Sequence, residues 1–209
     1  MNEIRISWAG LKAIGACQEA LGEFRDHHAG ESVLLRNVAS QTRWRRCPKD
    51  SRYHFWMQWL LDKVFQALPP ACRVDFLLRV LDVAVGLWPD DTRRRYKALL
   101  AAARSPDSTL AATKALRDRA HLLEQHNRRY HAVATVTWWL QIEREGQVCY
   151  YAPSTITSAL QGSLLALAGG PSRETGDSAD YFAADVILGC LLGTQALLES
   201  DIIVGEGAE

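Results

Sequence analysis

"CRVDFLLRVLDVAVGLWPDDTRRRYKALLAAAR" occupies residues 72–104. Its apolar residues Cys72, Phe76, Val80, Val83, Ala84 and Leu87 recur at helical intervals, placing them on one side of an α-helix and not on one face of a strand. Pro89 stops that helix, because proline donates no backbone hydrogen bond and restricts the residue before it. Asp90 and Asp91 then start a second helix, running from Thr92 to about Arg104. An aspartate at such a start can accept a backbone N–H, stabilising by ~1 kcal/mol, with a few tenths more from the helix dipole. Arg93, Arg94 and Arg95 oppose that dipole unless they pair with the aspartates or with acids elsewhere. Two uses of the triplet stay open: an ion-paired helix start, and a recognition surface for an anionic partner.

The same spacing extends in both directions. Leu11, Ile14, Cys17, Leu21 and Phe24 mark a helix from Trp8 to about Arg25, with His27 and His28 at its end, where imidazolium suits the negative end of the dipole. A second short helix is expected around Val33 to Val38. "TRWRRCPKDSRYH" (42–54) is basic and broken by Pro48; Asp50 or Ser51 can cap the next helix. In "SRYHFWMQWLLDKVFQAL" (51–68), Trp56, Leu60, Val64 and Ala67 form a stripe that Phe55 and Trp59 widen, before Pro69 and Pro70 end it. The helix of the opening stretch then runs from about Ala71 to Trp88. Beyond Pro106, with Asp107 or Ser108 as cap, a charged helix reaches about Asn127. "RRYHAVATVTWWLQIE" (128–143) is rich in β-branched residues, which suits a strand, but Ala132, Val136, Trp139 and Leu140 share a helical face, and a helix is expected. Two more helices come after it, about Ser154 to Ala168 and about Ala179 to Ser200. "GGPSRETGDS" (169–178) reads as a flexible loop and 204–209 as a frayed tail.

The expectation is an all-α fold: an irregular bundle or stack of about eight to nine antiparallel helices. It forms one domain over residues 1–209, with 145–153 the place where it would subdivide. A chain of 209 residues buries roughly 70% of its unfolded surface and needs no disulfide or metal staple. Its five cysteines (Cys17, Cys47, Cys72, Cys149, Cys190) are scattered without a CxxC; they read as reduced, small buried residues in a cytoplasmic protein. "MNEIRISWAGLKAIGAC" (1–17) is not expected to be a secretory signal, and no run reaches the ~18 apolar residues of a membrane span.

Charge is balanced overall but unevenly placed. Residues 1–145 carry seven net positive charges and residues 146–209 seven net negative ones. Such halves imply either an internal handshake or two faces for two partners.

Catalytic and metal signatures are sparse. His121, His126 and His131 are spaced by five, which on one helix turns each about 140° from the last, so they are expected to point apart and no metal site is expected. Cys17 lies on an apolar face, unsuited to a nucleophile. No GxSxG, Walker lysine or dinucleotide glycine spacing occurs, and no cofactor is expected. Arg43, Arg45, Arg46, Lys49 and Arg52 interleave with Trp44 and Tyr53, a pattern that serves protein contacts or stacked nucleic-acid bases. Of the seven tryptophans, Trp56, Trp59 and Trp139 fit core stripes. Trp44 and Trp8 flank helices and suit an interface.

Several stretches together resemble a family of bacterial all-helical immunity proteins of polymorphic toxin systems. They are "GACQEALGEF" (15–24), "FWMQWLL" (55–61), residues 72–104 and "AHLLEQHNRRYHAVATVTWWL" (120–140). The family's turn has a proline between two arginines where this chain has Arg94, and the C-terminal part is less alanine-rich than the family's. The resemblance implies an all-α, non-enzymatic protein that binds and blocks a toxin partner, and it brings no catalytic residues.

The first functional expectation is therefore a protein-binding module that occludes a partner, an immunity or accessory protein of a bacterial toxin or defence system. Trp44, Arg45, Arg46, Arg93, Arg94 and Arg95 would serve an anionic partner; Asp177, Asp180 and Asp185 would serve a basic one. A nucleic-acid-associated accessory protein using the arginine clusters is the second reading. An enzyme assembled from scattered residues is the third. No membrane partner is expected.

Overall fold

The computed structural model describes residues 2–28, 32–40, 51–105, 110–147, 149–170 and 173–205. Eleven α-helices account for most of them: α1 (Trp8–Ala13), α2 (Gln18–His27), α3 (Leu35–Ser40), α4 (Ser51–Ala67), α5 (Pro70–Gly86), α6 (Asp90–Arg95), α7 (Lys97–Arg104), α8 (Leu110–Glu124), α9 (His131–Arg144), α10 (Ala152–Leu167) and α11 (Arg173–Gly193). The fold is all-α in architecture, as the periodicity requires. The excess over eight or nine arises where an expected helix is split.

The first split is in the segment read as Trp8 to Arg25. Gly15 takes φ +83° between α1 and α2, a conformation that costs glycine little and other residues more. Cys17 consequently leaves the apolar stripe and becomes the N-cap of α2, exposed. This corrects its expected burial; Cys72, Cys149 and Cys190 are buried. The second split falls at Tyr96, which ends α6 and precedes α7.

At the centre lies α9. Ala132, Val133, Ala134, Val136, Thr137, Trp139, Leu140, Gln141 and Glu143 are all buried on it. Burial on nearly every side overrides the β propensity of Val133, Thr135, Val136 and Thr137, because neighbouring helices supply the packing. Those neighbours are α5, α8 and α10, while α10 in turn packs on α4 and α11. One contiguous core runs from Ile4 to Val204 and includes Phe65, Phe76, Leu77, Leu81, Leu116 and Ile156.

Polar groups join these helices at their ends. Tyr130 and Tyr151 precede α9 and α10 without side-chain caps. Ser163 of α10 accepts the Ala132 N–H at 3.0 Å, and Asp62 of α4 accepts the Ser154 N–H at 2.9 Å. First-turn donors lacking local partners are thus satisfied from adjacent helices. Arg73 of α5 donates to the buried Glu143 of α9 at 2.6 Å and to Leu68 O at 2.7 Å.

A small sheet was not expected from the sequence. β1 (Ile4–Ile6) lies between β2 (Val33–Leu34), antiparallel, and β3 (Ile202–Val204), parallel. The segment expected to be helical from Val33 is therefore strand for two residues and becomes α3 at Leu35. Ile4 and Ile6 are wholly buried, one alternate pair on a three-residue strand, too short to reveal a period of two. Val204, read as the start of a frayed tail, pairs with Ile6 and is wholly buried; 206–209 lie outside the described residues. The expected loop 169–178 is also corrected, since α11 starts at Arg173. Glu174 suits the positive end of the dipole.

Candidate docking groove between α8 and α9

The arginine triplet is resolved by its immediate neighbours. Pro89, not an aspartate, is the N-cap of α6, and no side chain caps it. Asp90 pairs with Arg93 and Asp91 with Arg94, each one turn along. Proline fills a helix start because its missing N–H is one the helix leaves unpaired anyway; the aspartates are thereby free to neutralise the arginines. Arg95 is exposed and has no ion pair among the described residues. A cleft of about 430 Å³ lies beside the turn, lined by Asp82, Asp90, Arg93, Arg94, Lys97 and Arg104 among others. Arg104 is bound to Asp82 at 2.6 Å, so Lys97 is the one cation of that lining without an ion pair among the described residues. This is largely a compensated surface.

The other sequence candidates are not brought together with it. Trp44, Arg45 and Arg46 lie outside the described residues. Asp177 and Asp180 fall within α11, their side chains outside the described part; Asp185 is exposed on the same helix. Trp8 begins α1 with the Lys12 ammonium 5.4 Å from its ring centroid.

A different feature stands out between α8 and α9. These helices leave a groove of about 480 Å³ lined by Arg117, Asp118, His121, Glu124, Ala134, Thr135 and Trp138. The room comes from α9, where Ala134 and Thr135 present small side chains beneath the longer ones of α8. Trp138, one turn further along the same side, is 46% exposed. Its ring leans on that of Trp139 at 4.5 Å. Trp139 is buried and donates to Thr155 Oγ1 of α10 at 2.6 Å. The exposed indole therefore rests on an anchored one. Beyond Thr155, whose hydroxyl also donates to Tyr151 O at 2.8 Å, Tyr150 and Tyr151 are 55% and 65% exposed.

The charged wall is held in place. Arg117 donates through Nε and Nη2 to Asp118 and through Nη1 to Gln141 at 2.6 Å. Gln141 in turn donates to Glu145 at 2.8 Å. That bond, followed by Lys114 at 3.3 Å, holds the Glu145 carboxyl below its ordinary range. Glu124 receives His131 Nδ1 on one oxygen and has His121 Nδ1 3.5 Å from the other. Two of the three histidines expected to point apart, His121 and His131, thus converge on one carboxylate. The divergence holds only along one continuous helix, and the chain breaks between α8 and α9. Asn127 makes that break, its side chain accepting the Arg129 N–H at 2.9 Å to open a 3-10 turn. Asparagine as a helix-start signal was the readable clue. Among the described residues, no three histidine, cysteine, aspartate or glutamate side chains are arranged to hold a metal.

Two thiols elsewhere are quenched by burial. Burial first, then the Glu143 carboxylate, pushes the Cys149 thiol up to about 12, and burial pushes Cys190 up to about 11. Neither is a nucleophile at neutral pH. Among the described residues, no helix is long and apolar enough to cross a membrane. Comparison with protein-family models, curated proteins and solved structures returned no match.

Proposed function

We propose that this chain is a non-enzymatic protein-binding module that covers the working surface of a partner, the role implied by its resemblance to immunity proteins of polymorphic toxin systems. The observation that carries the reading is Trp138, nearly half exposed yet fixed against the anchored Trp139 at the rim of a groove. Tryptophan, tyrosine and arginine dominate the binding energy of protein interfaces, and a rigid aromatic loses little entropy when covered. Trp138 supplies the anchor, and Tyr150 and Tyr151 are exposed aromatics of the same kind. The arginine triplet contributes less in this reading, because Arg93 and Arg94 already have partners.

The test is capture of interacting proteins from the source cells, then reconstitution with the purified candidate by wild-type chain and Trp138→Ala. A 1:1 complex weakened at least about 30-fold by the substitution, a loss of ~2 kcal/mol typical of an interface anchor, supports the reading. A complex indifferent to both Trp138→Ala and Tyr151→Ala overturns this surface assignment. Turnover of a small molecule by the purified chain overturns the module reading itself.

A further inference from the structure

Resting on that reading, we infer that the α8–α9 groove receives a basic side chain, lysine or arginine, presented by the partner protein. Three observations converge. The groove's lining sets two carboxylates, Asp118 and Glu124, against one guanidinium, Arg117. The Arg117 guanidinium is spent, its nitrogens on Asp118 and Gln141, so it does not project as a free cation. Both of its bonds to Asp118 go to Oδ1, which leaves Oδ2 of that exposed carboxylate able to accept from a partner. Opposite the acids stands the exposed Trp138 ring, the side chain on which a cation is held best.

Carboxylates and an indole face around a narrow groove are complementary to an ammonium or guanidinium on an apolar stem. The methylenes cover Ala134 and Thr135 while the head meets the ring and the acids. An acidic side chain in the same place would face two carboxylates and an electron-rich ring. The sign also matches the chain's uneven charge: residues 146–209 carry seven net negative charges. A basic partner is drawn to both.

The experiment uses the full chain labelled with 5-fluorotryptophan, the Trp138 resonance being assigned by its loss in Trp138→Leu. Hexalysine, hexaglutamate and a neutral serine-glycine hexapeptide are titrated in low salt. The expected result is a saturable shift of the Trp138 resonance with hexalysine alone. Affinity should fall about tenfold in Trp138→Leu, read from another resonance, in keeping with a desolvated cation–π contact. Thr135→Arg, which places a fixed cation in the groove without touching the tryptophan, should abolish the shift, and circular dichroism checks that both variants keep their helix content. An equal shift with hexaglutamate, or a Trp138 resonance that hexalysine leaves unmoved, overturns the inference. A protein partner that binds in a Trp138-dependent way while hexalysine fails leaves the module reading standing and removes the basic class alone.

Discussion

Asp62 shows how much one side chain decides here. It is buried in α4, and burial raises its carboxyl above the ordinary value, while the hydrogen bond from Ser154 opposes the rise. The folded protein therefore holds this proton more tightly than the unfolded chain does. Between the ordinary carboxylate value of 3.8 and the raised one, the contribution of Asp62 to stability falls as pH rises. Asp62→Asn keeps an acceptor for Ser154 and removes the buried charge; urea unfolding should show equal or greater stability at pH 7 and a flatter pH dependence. Asp62→Ala leaves the Ser154 N–H without its partner and should cost about 1–3 kcal/mol. If both variants lose stability alike, the side chain acts by filling space and not by capping. Nothing in "MQWLLDKVF" (57–65) separates Asp62 from an exposed aspartate, because its partner is 92 residues away.

Helices are where local sequence and packing divide their labour. The stripe that predicted α9 is buried in the core, as is most of that of α5, while α4 buries Leu60 and Val64 of its stripe and leaves Ala67 exposed, since only a helix places residues three and four apart on one side. The starts are another matter. Ser7 caps α1 from its own side chain, but α9 and α10 borrow Ser163 and Asp62 from other helices. A buried polar tie between elements is Arg73–Glu143, with side-chain exposures of 15% and 2%. Removing one member strands the other's charge, so Glu143→Ala should cost about 3–5 kcal/mol. The double variant Arg73→Met, Glu143→Leu should recover most of that loss in the same thermal unfolding assay. A single variant that melts with wild type would show the pair to be expendable. The same division explains the groove. Helical geometry turns Trp138 about 100° from Trp139, away from the buried stripe, so its exposure was readable. The meeting of His121 and His131 on Glu124 was not, because it depends on how α8 and α9 lie across the Asn127 turn.

In the whole molecule, the two ends of the chain are joined. β1 takes β2 on one side and β3, from residues 202–204, on the other. Behind this sheet the backbone comes unusually close: a Cβ on Gly10 would lie 1.9 Å from Val204 O, and one on Gly205, at φ +93°, 2.3 Å from Gly10 O. Gly10→Ala should therefore pry β3 from α1, costing about 1–3 kcal/mol as overpacking does. Limited proteolysis should then release the C-terminal strand before the helical core is cut. Unchanged cleavage would mean that the sheet tolerates the added methyl.

The helical class, the places of most helices and the greater part of the core come from the spacing of apolar residues and the prolines between them. These are local quantities, settled within a few turns of chain. The sheet, the borrowed caps and the groove are relations between residues brought together by packing. Of the two uses left open for Arg93 and Arg94, the ion-paired helix start needs only Asp90 and Asp91 three residues before them, so it too was a local quantity. Trp138 matters for the opposite reason: packing anchors Trp139 beneath it and leaves its own ring facing out.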